Sequence, residues 1–209
     1  MGRRGEELKE HILWSAKDVF LELGFERTSM DVVAARASTS KRSLYTRFPS
    51  KDALFRAVFE LARTMYLNRL RTPDTYSEDA TEAVTVYCAR FLQLLLREPA
   101  LRTCRMGIAE AERLPDASGQ YYDAIFRTSQ DRLSTFITEE FGIQAPTSVE
   151  LATDLLGRSL HPRFFQALFG VEKPLPEEAD EESLHTDVDV DRIRGLVTKL
   201  LPAPRATSR

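Results

Sequence analysis

The stretch from Thr28 to Lys51 reads TSMDVVAARASTSKRSLYTRFPSK, and it decides how the whole chain is interpreted. Its first half is a short apolar run that ends near Arg36, followed by a polar turn. Its second half is polar, basic and aromatic, and it ends before Pro49, which cannot continue a helix. Two short helices joined by a tight turn, the second one polar, can place side chains in the major groove of DNA. The stretch therefore predicts a helix-turn-helix.

The ends of these helices are marked by small polar residues. Thr28 and Asp31 have the spacing of a capping box, so Thr28 is expected to cap a helix whose inward face holds Val32, Val33 and Ala35 or Ala37. The run Ser38-Thr39-Ser40 supplies the turn and the next N-cap. The second helix then spans 41–48, with Leu44 and Phe48 facing inward. Ser50 caps a further helix that extends to about residue 71, where Thr72-Pro73-Asp74 ends it.

The remainder of the chain is also helical in pattern. Apolar residues recur at helical spacing, and a glycine followed by an apolar residue closes three such runs, at Gly24, Gly142 and Gly170. We expect helices at about 78–96, 100–113, 118–141, 148–169 with a kink at Pro162, and 187–201, with an acidic loop over 172–191. The fold class is all-α. An N-terminal three-helix helix-turn-helix domain spans residues 1–60, and a C-terminal helical domain spans 73–209.

Charge is distributed unevenly along the 209 residues. The net charge is −3, but residues 1–72 hold 14 basic and 9 acidic residues, whereas residues 73–209 hold 15 and 23. The basic N-terminal part and the acidic remainder suggest that the N-terminal part binds a polyanion, although chance clustering would also give this pattern. No apolar run approaches the roughly 20 residues of a membrane span, and no signal-peptide pattern is present, so we expect a cytoplasmic protein without membrane contact.

Enzyme chemistry is not indicated by any motif. Cys88 and Cys104 are sixteen residues apart and have no partner at zinc-ligand spacing, which favours buried free thiols over a metal site or a redox pair. The chain has no nucleophile elbow and no phosphate-binding loop. We therefore expect a protein that is not an enzyme and needs neither a metal nor a cofactor.

Residues 8–60 resemble the N-terminal domain of the tetracycline-repressor (TetR) family of transcriptional regulators. The resemblance rests on Gly24-Phe25, Thr28-Ser29, Val33-Ala34, Ser40-Lys41, Leu44-Tyr45 and Phe48-Pro49-Ser50-Lys51. The chain departs from the family pattern in its turn, where Ser38 and Thr39 replace a glycine and an apolar residue. It also has Arg42 where a small residue is common. These departures leave the fold intact and bear on the preferred DNA sequence.

The polar side chains of the helix-turn-helix are the candidate contacts to double-stranded DNA. Arg42 can pair bidentately with guanine, and Tyr45 and Thr46 can reach a thymine methyl group or a phosphate. Lys51, Thr28 and Ser29 are expected to bind phosphates, although a helix cap would also explain Thr28, and each residue could be a solvated surface residue. The full set is Thr28, Ser29, Ser40, Lys41, Arg42, Ser43, Tyr45, Thr46, Arg47 and Lys51.

The resemblance implies that the C-terminal domain forms a homodimer and binds a small hydrophobic effector. Dimerisation would use the last two long helices, with an intersubunit core of Leu155, Leu156, Leu160, Ile193, Val197 and Leu200; these residues could instead pack inside the monomer. The effector would contact Phe91, Met106, Tyr122, Phe126 and Phe165, all of which plain core packing would also explain. The implied function is that of a ligand-responsive repressor on a palindromic operator. An architectural or nucleoid DNA-binding protein without an effector is the alternative.

Overall fold

The computed structural model describes residues 3–177 and 182–205, and this part of the chain is helical, as the sequence predicts. In chain order the helices are α1 (Arg3–Arg27), α2 (Met30–Arg36), α3 (Lys41–Arg47), α4 (Lys51–Arg69), α5 (Ala80–Leu96), α6 (Glu98–Ala109), α7 (Pro115–Tyr122), α8 (Thr128–Phe141), α9 (Thr147–Leu160), α10 (Arg163–Leu168), α11 (Leu184–Asp187) and α12 (Val190–Leu200). A 3₁₀ turn spans Pro73–Thr75, and a π-helical segment, Asp123–Arg127, joins α7 to α8. Within the described ranges, no residue belongs to a β-strand beyond one bridge between Arg97 and Leu175. No described helix is both long and apolar enough to cross a bilayer.

The chain forms two compact units, and neither is a single continuous segment. The first unit contains the residues up to Met65 together with Arg102–Tyr121. The second contains Tyr66–Leu101 and the residues from Tyr122 onward. The sequence pattern placed one boundary near residue 72 and gave no sign that Arg102–Tyr121 joins the N-terminal helices.

Aromatic rings form the core of the first unit. Phe20 and Phe25 of α1 contact Phe55 of α4 at centroid distances of 5.2 and 5.0 Å. Phe55 packs on Phe59 at 4.6 Å, and Phe59 packs on Tyr121 of α7 at 5.2 Å. α1 loses its regular geometry at Gly24, whose φ of 76° lies in the left-handed region that glycine adopts at little cost. The predicted glycine stop therefore appears as a break near the end of α1.

Helix α5 is the centre of the second unit, since almost all of its side chains are buried. It packs against α9 and α12, and α8 packs against α9. Five of the six residues predicted as an intersubunit core are buried in this intrachain core. Leu155, Leu156 and Leu160 are at most 6% exposed, Ile193 and Val197 are 0% exposed, and Leu200 is half-buried. The buried residues of α9 and α12 are covered within one chain and have little surface left for a second chain, whereas the contact predicted for Leu200 stays a prediction.

Two predicted long segments are interrupted in the structure. The helix expected over 148–169 ends at Leu160, and α10 begins at Arg163 after Pro162, which has no N–H to continue the hydrogen-bond pattern. The segment expected over 118–141 is helical but contains the π-helical residues. The acidic region predicted as a loop contains the short helix α11, and residues 178–181 of that region lie outside the described part.

Candidate nucleic-acid interface

The N-terminus of α2 is capped by Ser29 and not by Thr28. The Ser29 hydroxyl accepts a hydrogen bond from the Val32 N–H at 3.2 Å. Thr28 is 2% exposed, and its hydroxyl donates to the Gly24 carbonyl at 2.7 Å. The predicted Thr28 cap was therefore wrong by one residue. A buried hydroxyl that donates to the broken end of α1 is also not placed to bind a phosphate, so this prediction is corrected as well.

The turn between α2 and α3 has the predicted position and a strained residue. Ser38 has a φ of 47°, in the left-handed region that disfavours residues with a Cβ. The Thr39 N–H donates to the Ala34 carbonyl at 3.0 Å, which closes the turn. Ser40 then caps α3 and accepts from the Ser43 N–H at 3.1 Å. The turn therefore forms with a serine at residue 38, as the sequence indicated.

Burial separates the inward and outward faces of the two helices. On α3, Leu44 and Phe48 are 0% and 5% exposed, as predicted. On α2 the inward residues are Val33, Ala34 and Ala37, whereas Val32 is 39% exposed. Val32 was expected to face inward but is exposed. The buried face of α2 therefore differs from the predicted one, as does the N-cap, which is Ser29 and not Thr28.

The outward surface of α3 is formed by Lys41, Arg42, Tyr45 and Thr46, and we call these four residues the recognition face. All four are exposed, and Tyr45 is 48% exposed although it is aromatic. The Thr46 hydroxyl donates to the Arg42 carbonyl at 2.7 Å, and Lys41 pairs with Asp31 of α2 at 2.7 Å. A solvent-facing pair of this kind contributes little to stability and exchanges easily for another anion.

Two other predicted contacts on α3 lie at the edge of this face. Ser43 is half-buried and shares a hydrogen bond with the Ser40 hydroxyl at 3.1 Å. Arg47 is half-buried and donates to the Ser43 carbonyl at 3.1 Å. Ser29 and Ser40 are exposed at the two helix starts, where backbone N–H groups can also bind phosphate.

Lys51 makes contacts at the junction of α1 and α2 that the sequence did not predict. Its ammonium group donates to the carbonyls of Phe25 and Thr28 at 2.9 and 3.0 Å. It also lies 4.0 Å from the centre of the Phe25 ring. An ammonium that is engaged with the carbonyls between α1 and α2 stabilises that junction. Lys51 therefore has a structural role in this chain, and its phosphate contact stays a prediction.

Four of the five predicted effector contacts lie close together in the second unit. Phe126 packs on Tyr122 at 5.0 Å and on Phe91 at 6.2 Å. It also contacts Phe164 at 6.5 Å, and Phe164 packs on Phe165 at 5.5 Å. We call these five rings the aromatic cluster. Phe91 is fully buried, whereas Tyr122 and Phe165 are 55% and 45% exposed, so the cluster runs from the core to the surface.

Met106, the fifth predicted effector contact, belongs to the first unit. It is 7% exposed and lines a cleft of about 370 Å³ between the end of α1 and α6. The structure therefore does not bring Met106 into the aromatic cluster. Phe164 of α10, which was not among the five, is the fifth ring of the cluster.

The outward faces of α9 and α12 form a groove of about 490 Å³. Gly157 and Gly195 line it, and a Cβ added to either glycine would meet no atom within 4 Å. Cationic side chains border the groove at Arg158, Arg192 and Lys199. Beyond α9, the apolar residues Phe169 and Val171 are 81% and 78% exposed.

The cysteines and the acidic residues form no metal site in the ranges that the structure describes. Cys88 and Cys104 are buried free thiols that belong to different units, which agrees with the favoured interpretation of the sequence. Burial raises the pKa of each thiol to about 12. Neither cysteine therefore has the lowered pKa of a reactive or metal-binding thiolate.

Two family models match the chain. One, described as bacterial regulatory proteins of the tetR family, matches residues 12–58. The other, described as the C-terminal domain of AefR-like transcriptional repressors, matches residues 82–190. Together they cover both the helix-turn-helix and the aromatic cluster.

Individual relatives and solved structures agree with these matches. The HTH-type transcriptional regulator RutR of Escherichia coli (strain K12) is 38% identical over 63 residues, which are 30% of this chain and 30% of RutR. The uncharacterized HTH-type regulator YdeS of Bacillus subtilis (strain 168) is 28% identical over 195 residues, or 92% of this chain and 77% of YdeS.

A putative TetR-family regulator from Mesorhizobium loti has a TM-score of 0.76 at 22% identity, covering 93% of this chain and 98% of the other. The Flavonoid-responsive Regulator FrrA has a TM-score of 0.69 at 22% identity, covering 96% and 100%. At such identity these structures show a shared fold.

Proposed function

Because this chain belongs to the TetR family of bacterial transcriptional regulators, we propose that it is a ligand-responsive repressor that binds a palindromic operator as a homodimer. The observation that carries the DNA-binding part is the recognition face. Four polar side chains are exposed on one side of α3, while Leu44 and Phe48 anchor its other side. A short helix anchored in this way presents base-reading groups to a major groove at a fixed orientation.

The homodimer would form through the outward faces of α9, α10 and α12. The groove beside Gly157 and Gly195 allows close approach of a second helix, because neither glycine has a side chain to hold it away. Phe169 and Val171 add exposed apolar surface nearby in the sequence, and contiguous exposed apolar surface is typical of an interface. This face replaces the buried leucines as the proposed contact surface. A two-fold dimer would in turn require a palindromic operator.

The effector would be a small, flat hydrophobic molecule that stacks within the aromatic cluster. Aromatic rings prefer offset or edge-to-face contacts at 4.5–7 Å, and a planar ligand can replace one such partner. Tyr122 and Phe165 provide an exposed entry, and Phe91 provides a buried end. FrrA, with which this chain shares its fold, is named as flavonoid-responsive, which makes a polyphenolic ring system a suitable first probe.

The DNA-binding proposal is tested by selection from random duplexes with the purified full-length chain, followed by sequencing and sedimentation of the complex. A palindromic consensus bound by two chains supports the proposal. A consensus without symmetry, bound by one chain, refutes the homodimer. Salt-sensitive binding without any consensus refutes sequence-specific regulation and supports the architectural alternative.

The effector proposal needs a separate experiment. Flavonoids and smaller phenols are added to the complex of protein and selected duplex, and release is followed by fluorescence anisotropy. Release by a planar phenol, weakened at least tenfold in Phe126→Ala and unchanged in Ile108→Ala, supports the aromatic cluster as the site, because Ile108 is an exposed apolar residue outside both the cluster and the proposed dimer face. Equal weakening in both variants, or release that neither variant alters, places the effector elsewhere.

A further inference from the structure

Phe25 is the meeting point of two cations in the first unit. Lys51 lies 4.0 Å from the ring centre, and the Arg113 guanidinium carbon lies 3.5 Å from it. A cation within about 6 Å of an aromatic centroid is attracted by the ring quadrupole. Phe25 is also 6% exposed, so the ring is held in the core while both cations reach it. The residue sits directly before the segment that leads into α2.

Arg113 is fixed in this position by two carboxylates. One of its terminal nitrogens bonds to Asp52 Oδ1 at 2.7 Å, and its Nε bonds to Glu110 Oε2 at 2.8 Å. Asp52 is in the first turn of α4, next to Lys51. One guanidinium thus ties the α6–α7 connection to the end of α1 and to the start of α4. A planar group with several donors can do this, whereas an ammonium cannot hold both carboxylates and cover the ring.

The segment that carries Arg113 has an unusual place in the chain. Arg102–Tyr121 belongs to the first unit, but the residues before and after it belong to the second. Inside the first unit it makes further contacts with the same elements. Arg102 donates to the Leu21 carbonyl of α1 at 3.0 Å, and Gly107 lies so close to Phe59 of α4 that an added Cβ would be 3.4 Å from the ring.

From these contacts we infer that Arg113 is a positioning residue for DNA binding. Its contacts fix the ends of α1 and α4 next to α2, and this arrangement orients the recognition face. The segment that carries Arg113 continues at both of its ends into residues of the second unit. Arg113 itself is not proposed to contact DNA. This inference rests on the proposed function, since it concerns the fit of α3 to a specific sequence.

The test compares affinity for the selected operator with affinity for a scrambled duplex in full-length Arg113→Lys. The substitution preserves net charge, so the electrostatic binding to scrambled DNA is expected to stay unchanged. The specific-to-nonspecific ratio is expected to fall roughly threefold to tenfold, the fold-change that corresponds to the loss of one cation–π interaction. A merely destabilised protein would lose active molecules and would weaken both kinds of binding equally.

Arg63→Lys is the matched control, because Arg63 is a solvent-facing partner of Glu60 on α4 at 3.0 Å. It should leave the ratio unchanged. If Arg113→Lys does not fold, Asp52→Asn tests the same contact with less disturbance and should lower the ratio in the same direction. In a Phe25→Leu background, Arg113→Lys should have little further effect.

Outcomes separate the two proposals. A wild-type protein that prefers its selected operator, together with an unchanged ratio in Arg113→Lys and Asp52→Asn, overturns the positioning role alone. An equal effect of Arg113→Lys with and without Phe25 also overturns it. A wild-type protein that prefers no sequence overturns the proposed function and this role with it.

Discussion

Replacing Lys51 by methionine separates two roles that the sequence does not distinguish. Methionine keeps most of the apolar stem and removes the ammonium group. In the structure that group donates to the Phe25 and Thr28 carbonyls at 2.9 and 3.0 Å and covers the Phe25 ring. We therefore expect Lys51→Met to lower the free energy of unfolding and to leave the phosphate contacts intact.

The magnitude follows from the interactions that the substitution removes. A hydrogen bond from a charged donor contributes roughly 1.5–3 kcal/mol, and a cation–π contact about 0.5–1 kcal/mol at exposed sites. Two features reduce the sum. Lys51 is half-buried, so water replaces part of each contact, and the Phe25 carbonyl keeps a bond from the Thr28 N–H at 3.1 Å. The expected destabilisation is about 2 kcal/mol.

The assay combines urea unfolding with the salt dependence of binding to random-sequence duplex. Lys41→Met is the matched control, because Lys41 is exposed and pairs with Asp31 on the surface. Lys41→Met should change stability by less than about 1 kcal/mol, since surface ion pairs contribute little. It should also flatten the slope of log K against log salt by about 0.9 for each phosphate that the variant no longer neutralises. Lys51→Met should show the reverse: an earlier urea midpoint and an unchanged slope.

A Lys51→Met variant that unfolds at the wild-type urea concentration and binds with a flatter salt slope would refute this reasoning. Lys51 would then be a phosphate contact, as the sequence pattern suggested, and its carbonyl partners would be incidental to stability.

The remaining predictions concern the turn, the recognition face and the thiols. Ser38→Gly should raise the free energy of unfolding by about 0.5 kcal/mol, since relief of the left-handed strain exceeds the added chain entropy, and Ser38→Ala should give no gain in the same urea titration. Arg42→Ala should cost about 1–3 kcal/mol on the operator and relax preference at one base pair, as measured with single-base variants; unchanged preference would remove Arg42 from the recognition face. Burial raises the pKa of Cys88 and Cys104 to about 12. Both thiols should therefore react with a disulfide reagent at pH 8 only in urea, and stability should fall as the pH rises above about 9, where only the unfolded state ionises. Rapid labelling of the native protein would contradict their burial.

The fold was largely predictable because helix signals are local. Hydrophobic spacing, the prolines and the polar turn located α2, α3 and α4 to within a residue or two. The burial of Leu44 and Phe48 followed from their spacing of four. The cap was misplaced because Thr28 and Ser29 are both good N-caps, and only the three-dimensional position of the Gly24 carbonyl decides between them.

The contacts of individual side chains were predicted less well, because the sequence identifies hydrogen-bond donors but not the acceptors that lie near them after folding. Lys51 has the composition of a phosphate contact, but the acceptors that reach it are carbonyls of a junction that forms only after folding. The same limit applies to Leu155 and Ile193. An apolar stripe must be covered, yet its spacing does not say whether the cover comes from the same chain or from a second one.

The same limit applies to Arg113 and its proposed positioning role. Its partners Asp52 and Phe25 are 61 and 88 positions away in the sequence, and no periodicity connects them. In the proposed ligand-responsive repressor, binding of the effector in the second unit alters the DNA affinity of the first, and chain segments that belong to both units are candidates for this coupling. Helix α4 passes once from the first unit to the second, whereas Arg102–Tyr121 enters and leaves the first unit by the chain itself. We expect a displacement at either end of that segment to act on Arg113, which contacts the Phe25 ring just before α2. Control of DNA affinity at this position therefore needs no contact between Arg113 and either DNA or effector.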